Sequence, residues 1–132
     1  MENGRCTTCL AVFLMKKNNM NFNELESQVL DWLKARYIIP NATPVSQLLK
    51  AVSEMGELAD ATNKLDKPGI KDGVGDVLVC LISFCALQGL TLTECLESAY
   101  NEIRDRRGTL LPTGVFVKEG DELFALAKEV AK

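Results

Sequence analysis

The sequence predicts an all-α protein, a bundle of four main helices. Apolar residues recur at intervals of three and four along most of the chain, and Pro or Gly clusters separate the segments that carry them. The 132 residues fit one helical domain, which we place at residues 20–132. Residues 1–19, with a Cys6-x-x-Cys9 pair, differ in pattern. They are expected to form a poorly ordered extension or to precede an alternative start at Met20.

The first two helices are expected at about residues 22–37 and 44–65. Apolar residues recur at near-helical spacing in the first, and Pro40 and Pro44 mark the break that follows it. Lys67-Pro68-Gly69 is expected to end the second helix. The main apolar stripe of this second helix consists of Val45, Leu48, Leu49, Val52, Met55 and Ala59.

The third helix, at about residues 70–88, is apolar on nearly every side and is therefore expected to be the buried central element. A capping box, Thr91-x-x-Glu94, begins the fourth helix, at about residues 92–107. A short extended piece at residues 115–117 and a last helix at about 119–131 follow. The fourth helix is expected to turn these residues inward: Leu92, Cys95, Leu96, Ala99, Tyr100 and Ile103.

The composition excludes several classes of function. The net charge of −3 lacks the basic patch typical of nucleic-acid binding, so no nucleic-acid partner is expected. The absence of histidine excludes imidazole catalysis and His-ligated zinc. The longest apolar run, residues 77–87, is too short to cross a bilayer, so no membrane partner is expected. Cys80, Cys85 and Cys95 lie among apolar residues and the cysteine count is odd, which indicates a reducing cytoplasm.

Carboxylates on two successive helices form the candidate site. Glu54 and Glu57 are three residues apart and share one side of the second helix with Lys50. Apolar residues flank them, so the pair is expected to face a partly buried cleft. Asp72 and Asp76 add two acids at the start of the third helix. Oxygen ligands converging from two antiparallel helices suit Mg²⁺ or Mn²⁺, which could orient a triphosphate and activate water.

Simpler interpretations of these residues remain open. Glu-x-x-Glu is common on helix surfaces, and Lys50 with Glu54 also fits an ordinary surface ion pair. Asp72 could serve only as the N-cap of the third helix.

The motif Ser53-Glu54-Met55-Gly56-Glu57-Leu58, followed by Val74-Gly75-Asp76-Val77-Leu78, resembles the MazG-like branch of the all-α nucleoside triphosphate pyrophosphohydrolases. That superfamily carries ExxE, a spacer, and ExxD on the next helix. The later segments, Tyr100-Asn101-Glu102-Ile103-Arg104-Asp105-Arg106-Arg107-Gly108 and Gly114-Val115-Phe116-Val117-Lys118, look like the C-terminal portion of phage-encoded members. The resemblance covers roughly residues 22–118.

The resemblance implies hydrolysis of a nucleoside triphosphate to the monophosphate and pyrophosphate with Mg²⁺ or Mn²⁺, in a homodimer or homotetramer. It implies a cytoplasmic enzyme, in the host cytoplasm if phage-encoded, that shapes the nucleotide pool, with a purine such as dGTP or GTP as one substrate choice and a pyrimidine as another. The implied catalytic residues are Glu54, Glu57 and Asp76, and the implied metal ligands are these three with Asp72. The candidate substrate-binding residues are Lys50, Asn101, Arg104, Arg107 and Lys118.

One position departs from the family pattern. The glutamate expected three residues before Asp76 is replaced by Gly73, which has no side chain to offer a metal. Asp72 is expected to substitute for it, because residues four apart also share a helix face. The alternative is a non-catalytic helical oligomerisation or nucleotide-sensing module that kept the fold and lost the activity.

Overall fold

A computed structural model of the chain describes residues 20–130. The elements in order are α1 (Phe22–Ala35), α2 (Ile38–Asn41), α3 (Pro44–Asn63), α4 (Lys67–Leu87), α5 (Leu92–Ile103), β1 (Gly108–Leu110), β2 (Phe116–Lys118) and α6 (Glu122–Val130). The four main helices predicted from the periodicity are α1, α3, α4 and α5, so the all-α prediction is confirmed. The predicted N-terminal extension, residues 1–19, lies outside the described residues.

The chain divides into two compact units, with the boundary between Leu92 and Thr93. In the first unit, α1, α2 and α3 all contact α4. In the second unit, α6 packs against the two short strands. The single domain expected for residues 20–132 stays a prediction.

Helix α4 is the central element of the first unit, as its uniform apolar character predicted. Its buried residues include Val77, Cys80, Ile82 and Cys85. Cys80 and Cys85 are both buried, which agrees with their position among apolar residues in the sequence. Burial raises the pKa of the Cys80 thiol, an effect that nearby Glu54 reinforces.

The start of α4 corrects one sequence prediction. Lys67-Pro68-Gly69 was expected to end the preceding helix, but these residues form the first turn of α4. Proline is tolerated there because the first amides of a helix have no intrahelical carbonyl partner. The Asp66 side chain caps this turn by accepting a hydrogen bond from the Gly69 amide at 3.2 Å.

Two polar interactions stabilise α1, a capping box at its start and a hydrogen bond of the buried Glu26. Asn21 and Glu24 form a reciprocal capping box at its N-terminus. Glu26 is buried, and its carboxylate accepts a hydrogen bond from the Leu92 amide at 2.5 Å. The carboxylate therefore meets an otherwise orphaned amide at the first residue of α5.

A β-hairpin lies where the sequence suggested only one extended piece. Strand β1 pairs antiparallel with β2, with Thr109 opposite Val117. Strand β1 was not predicted, because Gly108 was interpreted as part of a loop. In the structure a Cβ at Gly108 would overlap the Val117 carbonyl and the Phe116 ring, so glycine allows the strands to approach closely.

Two apolar stripes identified in the sequence are largely exposed within the described residues, and the one on α5 was expected to face inward. On α3 the exposed residues include Val52 and Met55, and on α5 they include Leu96, Tyr100 and Ile103. Apolar periodicity identifies a face that favours burial, but it does not specify which surface covers that face. No single helix within residues 20–130 is long and apolar enough to cross a membrane, although α4 and α5 together meet that test by length and composition.

Candidate functional site

A close approach of α3 to α4 builds the candidate site. Gly73 is buried at the contact, and a Cβ placed there would lie 3.2 Å from the Cα of Leu58 and 3.1 Å from its Cβ. These distances are tighter than nine in ten real Cβ contacts, so a side chain at position 73 would require Leu58 to shift by a few tenths of an ångström. The glycine that replaces the motif glutamate is therefore a packing residue, and it permits the backbones to approach.

The two helices enclose an acidic cleft with a volume of about 460 Å³. The residues that line it come from the C-terminal half of α3, the connection and the first turns of α4. They are Ser53, Gly56, Glu57, Asp60, Ala61, Lys64, Asp66, Gly69, Asp72, Gly73 and Asp76. Three of the predicted ligands, Glu57, Asp72 and Asp76, are thus brought to one cleft.

Asp72 does not cap a helix. The N-cap of α4 is Asp66, and Asp72 lies six residues later within the helix. Its side chain is exposed and lines the acidic cleft beside Asp76. The cap interpretation of Asp72 is wrong, and its interpretation as a substitute ligand stays a prediction.

Glu54 occupies a different environment from Glu57. It is buried, with 7% of its surface exposed, on the side of α3 that faces α4, and it is not among the residues that line the acidic cleft. Lys50 forms an ion pair with Glu54, in which its ammonium group donates a hydrogen bond to the carboxylate. This hydrogen bond, together with the negative charge of Glu54, raises the pKa of Lys50. The ammonium group proposed to bind substrate is therefore engaged with the buried carboxylate in the free protein. The roles of Glu54 as ligand and Lys50 as substrate-binding residue stay predictions.

The donor chemistry of the acidic cleft fits Mg²⁺ or Mn²⁺, because carboxylate oxygens are the ligands that hard divalent cations prefer. Within residues 20–130, no three Asp, Glu or Cys side chains converge closely enough to form a ready metal site. Glu57, Asp72 and Asp76 are all exposed, so rotation of their side chains is sterically free. A cation would therefore have to draw these oxygens together.

Sequence reasoning missed Asp60, Lys64 and Asp66 at this site. Glu57, Asp60 and Lys64 follow one another at intervals of three and four, so the helical spacing already placed them on one face. Lys64 donates a hydrogen bond to Asp60, with 2.6 Å between Nζ and Oδ2, and this contact raises the pKa of Lys64. Asp66 was not predicted because the sequence placed the start of α4 at about residue 70, whereas Asp66 is the N-cap of a helix that begins at Lys67.

A second depression, the Trp32 groove, shares the lining residue Asp76 with the acidic cleft. It has a volume of about 360 Å³ and is mainly apolar. Trp32 is 49% exposed, so its ring is not part of the core. Its ring also lies 6.0 Å from the guanidinium carbon of Arg36. The groove is lined by Leu25, Gln28, Val29, Trp32, Asp76 and Val79.

The remaining predicted residues belong to the second unit. Asn101 and Arg104 lie on or just after α5, Arg107 precedes β1, and Lys118 ends β2. All four are exposed, and Arg104 forms an ion pair with Asp105 at 3.2 Å. Their contribution to substrate binding stays a prediction.

The helical fold and its acidic cleft define the class of protein, an all-α protein with a carboxylate site between two helices. Residues 42–110, just over half of the chain, match the MazG nucleotide pyrophosphohydrolase domain. The chain belongs to this family, which confirms the resemblance found in the sequence.

Two similar proteins come from phages. An uncharacterized 18.2 kDa protein from the rep-hol intergenic region of Haemophilus phage HP1 is 29% identical over 62 residues, which are 47% of this chain and 38% of that protein. The match therefore spans well under half of that relative. The cyanophage S-2L MazG-like pyrophosphohydrolase bound to dGDP and three catalytic Mn²⁺ ions aligns with a TM-score of 0.59 and 21% identity. This alignment covers 79% of this chain and 98% of the cyanophage chain, and it shows a shared fold.

Proposed function

We propose that the protein hydrolyses a nucleoside or deoxynucleoside triphosphate to the monophosphate and pyrophosphate, using Mg²⁺ or Mn²⁺. The observation that carries the proposal is the acidic cleft, which is lined by Glu57 from α3 and by Asp72 and Asp76 from α4. The family supports it, and so does the cyanophage enzyme, whose structure contains dGDP and three catalytic Mn²⁺ ions.

The reaction replaces one phosphorus–oxygen bond by another. A water oxygen attacks the α-phosphorus, the bond from this phosphorus to the bridging oxygen breaks, and pyrophosphate leaves with that oxygen. A cleft carboxylate, for which Glu57 and Asp76 are the candidates, accepts the proton that the water loses. Mg²⁺ or Mn²⁺ would be bound by Glu57, Asp72 and Asp76, with Glu54 one helical turn away. Its positive charge would offset the negative charge of the phosphates.

The Trp32 groove supports a position for the nucleoside. The groove and the acidic cleft share Asp76, so one extended ligand could place its phosphates in the cleft and its base in the groove. A half-exposed indole offers a flat apolar surface to a base, and the Gln28 amide offers both a donor and an acceptor. A purine such as dGTP or GTP is the first candidate, because the cyanophage enzyme was bound to dGDP.

We also propose that the protein is a homodimer or homotetramer. The supporting observation is the outer stripe of α3, here defined as Val45, Leu48, Leu49, Val52, Met55 and Ala59, all of which are exposed in the chain. Large contiguous apolar surfaces of this kind are typical of protein interfaces. We also propose a phage-encoded role in the host cytoplasm, which is supported by the origin of the relative from a phage.

The non-catalytic alternative is favoured by one observation. No three of the described Asp, Glu and Cys side chains converge on a ready metal position, and Gly73 supplies no ligand. A protein that binds nucleotide in this cleft without cleaving it would fit that geometry.

Pyrophosphate release from a panel of eight ribo- and deoxynucleoside triphosphates, with Mg²⁺ or Mn²⁺, tests the proposal. Turnover of at least one nucleotide is expected, with a loss of about a hundredfold or more in kcat for Glu57→Gln and Asp76→Asn at unchanged helicity. The exposed Glu97→Gln is the control and is expected to match the wild type. Nucleotide binding without release of pyrophosphate would favour the sensing module.

A further inference from the structure

Lys64 is the one cation among the residues that line the acidic cleft in the described part of the chain. It follows the last residue of α3, and its backbone amide donates to the carbonyl of Asp60 at 3.1 Å. The backbone end of the side chain is therefore fixed. The four-carbon stem beyond it is free to swing, because 68% of the side chain is exposed.

The partner of Lys64 is easily replaced. Its ammonium group contacts Asp60, whose side chain is also 64% exposed. Exposed ion pairs of this kind contribute little free energy, since water competes for both charges. A phosphate oxygen that enters the cleft presents a stronger acceptor than a solvated carboxylate, and a metal nearby would draw that oxygen into a fixed position.

The negative charge of the cleft favours a cation such as Lys64 next to a bound phosphate. Five carboxylates line it, those of Glu57, Asp60, Asp66, Asp72 and Asp76, so a polyanionic substrate would be repelled. Divalent cations, if held by Glu57, Asp72 and Asp76, would offset part of this charge. Asp60 and Asp66 lie toward Lys64, and they leave the end of α3 negative unless Lys64 is present.

We propose that Lys64 is a substrate-binding residue that exchanges Asp60 for a phosphate oxygen of the leaving pyrophosphate when the nucleotide binds. The inference rests on the proposed function and adds a residue to it. Asp60 holds the ammonium group at the mouth of the cleft in the free protein. In the complex Lys64 balances charge that develops on the departing phosphates.

Comparison of Lys64→Met with Lys71→Met tests the exchange. Lys71 lies on α4, is exposed and does not line the acidic cleft, so the two variants lose the same charge from the same region. The affinity for inorganic pyrophosphate with Mg²⁺, measured by calorimetry, is expected to fall about tenfold in Lys64→Met and less than about twofold in Lys71→Met. The KM for the best nucleotide is expected to follow the same order. Equal affinities in the two variants would overturn the inference.

Asp60→Asn distinguishes a carboxylate that holds Lys64 from one that binds metal. If Asp60 competes with phosphate for Lys64, removal of its charge strengthens pyrophosphate binding by about twofold and leaves Mn²⁺ affinity unchanged. Weaker Mn²⁺ binding in Asp60→Asn would assign Asp60 to the metal and contradict the exchange. Circular dichroism and the melting temperature verify that each variant is folded.

The outcome separates the inference from the function on which it rests. A wild-type protein that hydrolyses a nucleotide, with Lys64→Met equal to Lys71→Met, would sink the inference alone. A wild-type protein that neither hydrolyses nucleotides nor binds pyrophosphate would overturn both.

Discussion

The two faces of α3 differ in burial, and the more apolar face is the exposed one. The inner face, with Ala51, Glu54 and Leu58, packs against α4 and buries a charged residue. The outer stripe carries larger apolar residues such as Leu48, Val52 and Met55, yet it is exposed. It borders an apolar groove of about 500 Å³ between the same two helices.

The difference shows that backbone approach, more than side-chain hydrophobicity, selects the face that α3 buries within the chain. Gly73 provides the contact for the inner face, since it lets the backbone of α4 reach Leu58. Small residues on that face, such as Ala51 and Ala61, complement the contact. The same approach brings carboxylates from both helices into one cleft, so packing and site depend on one glycine.

Gly73→Glu should have the largest effect, and it tests whether position 73 is a lost ligand or a packing position. The added side chain must displace Leu58 and leave a charge near the buried contact. We expect a loss of about 3 kcal/mol or more in the free energy of unfolding, with a fall in Tm of roughly 10 °C, and no gain in Mn²⁺ affinity. Thermal melting and calorimetry measure both quantities.

Gly75→Glu is the matched control for this prediction. It places the same residue on the same helix two positions away, where nothing lies within 4 Å of the added Cβ. Its stability is expected to stay within about 1 kcal/mol of the wild type. A stable Gly73→Glu variant with tighter metal binding would show that the missing glutamate is a vacant ligand position.

The sequence predicts the helices well and their contacts less well. Apolar spacing located the four main helices because helix periodicity is a local property. It could not reveal that Gly73 sets the distance between α3 and α4, since this depends on Leu58, which is fifteen positions away. The sequence grouped Glu54 with the other acids and offered its ion pair with Lys50 as an alternative, which the structure contains. It could not reveal that Glu54 is buried and absent from the lining of the acidic cleft, because burial depends on the packing of α3 against α4.

Val52→Glu tests whether the outer stripe is an interface between copies. A charge at the centre of an apolar interface costs far more than a charge on an open surface, because it must lose its hydration. We expect the assembly to dissociate, with a loss of at least about tenfold in the association constant. Light scattering after size-exclusion chromatography over a concentration series measures this change.

Ser27→Glu provides the control, since it adds the same charge to an exposed position of α1. Its mass in solution is expected to equal that of the wild type. If Val52→Glu has the same mass as Ser27→Glu at every concentration, the outer stripe is not the contact between copies.

Lys50→Met should have the smallest effect. It tests whether Lys50 stabilises the buried carboxylate of Glu54 or binds the substrate. The variant leaves the buried carboxylate of Glu54 without its ion-pair partner, so we expect a lower Tm and an unchanged KM. Substrate binding by Lys50 predicts the opposite pattern, an unchanged Tm and a raised KM. Lys50→Arg retains the charge and is expected to melt close to the wild type.

A double-mutant cycle isolates the pair. In the Glu54→Gln background no buried carboxylate needs Lys50, so the added Lys50→Met change is expected to leave Tm nearly unaltered. An equal fall in Tm in both backgrounds would mean that Lys50 stabilises α3 by some other contact. The inner face would then bury Glu54 without help from Lys50, and its charge would have to be balanced from the cleft, where the proposed metal ions would bind.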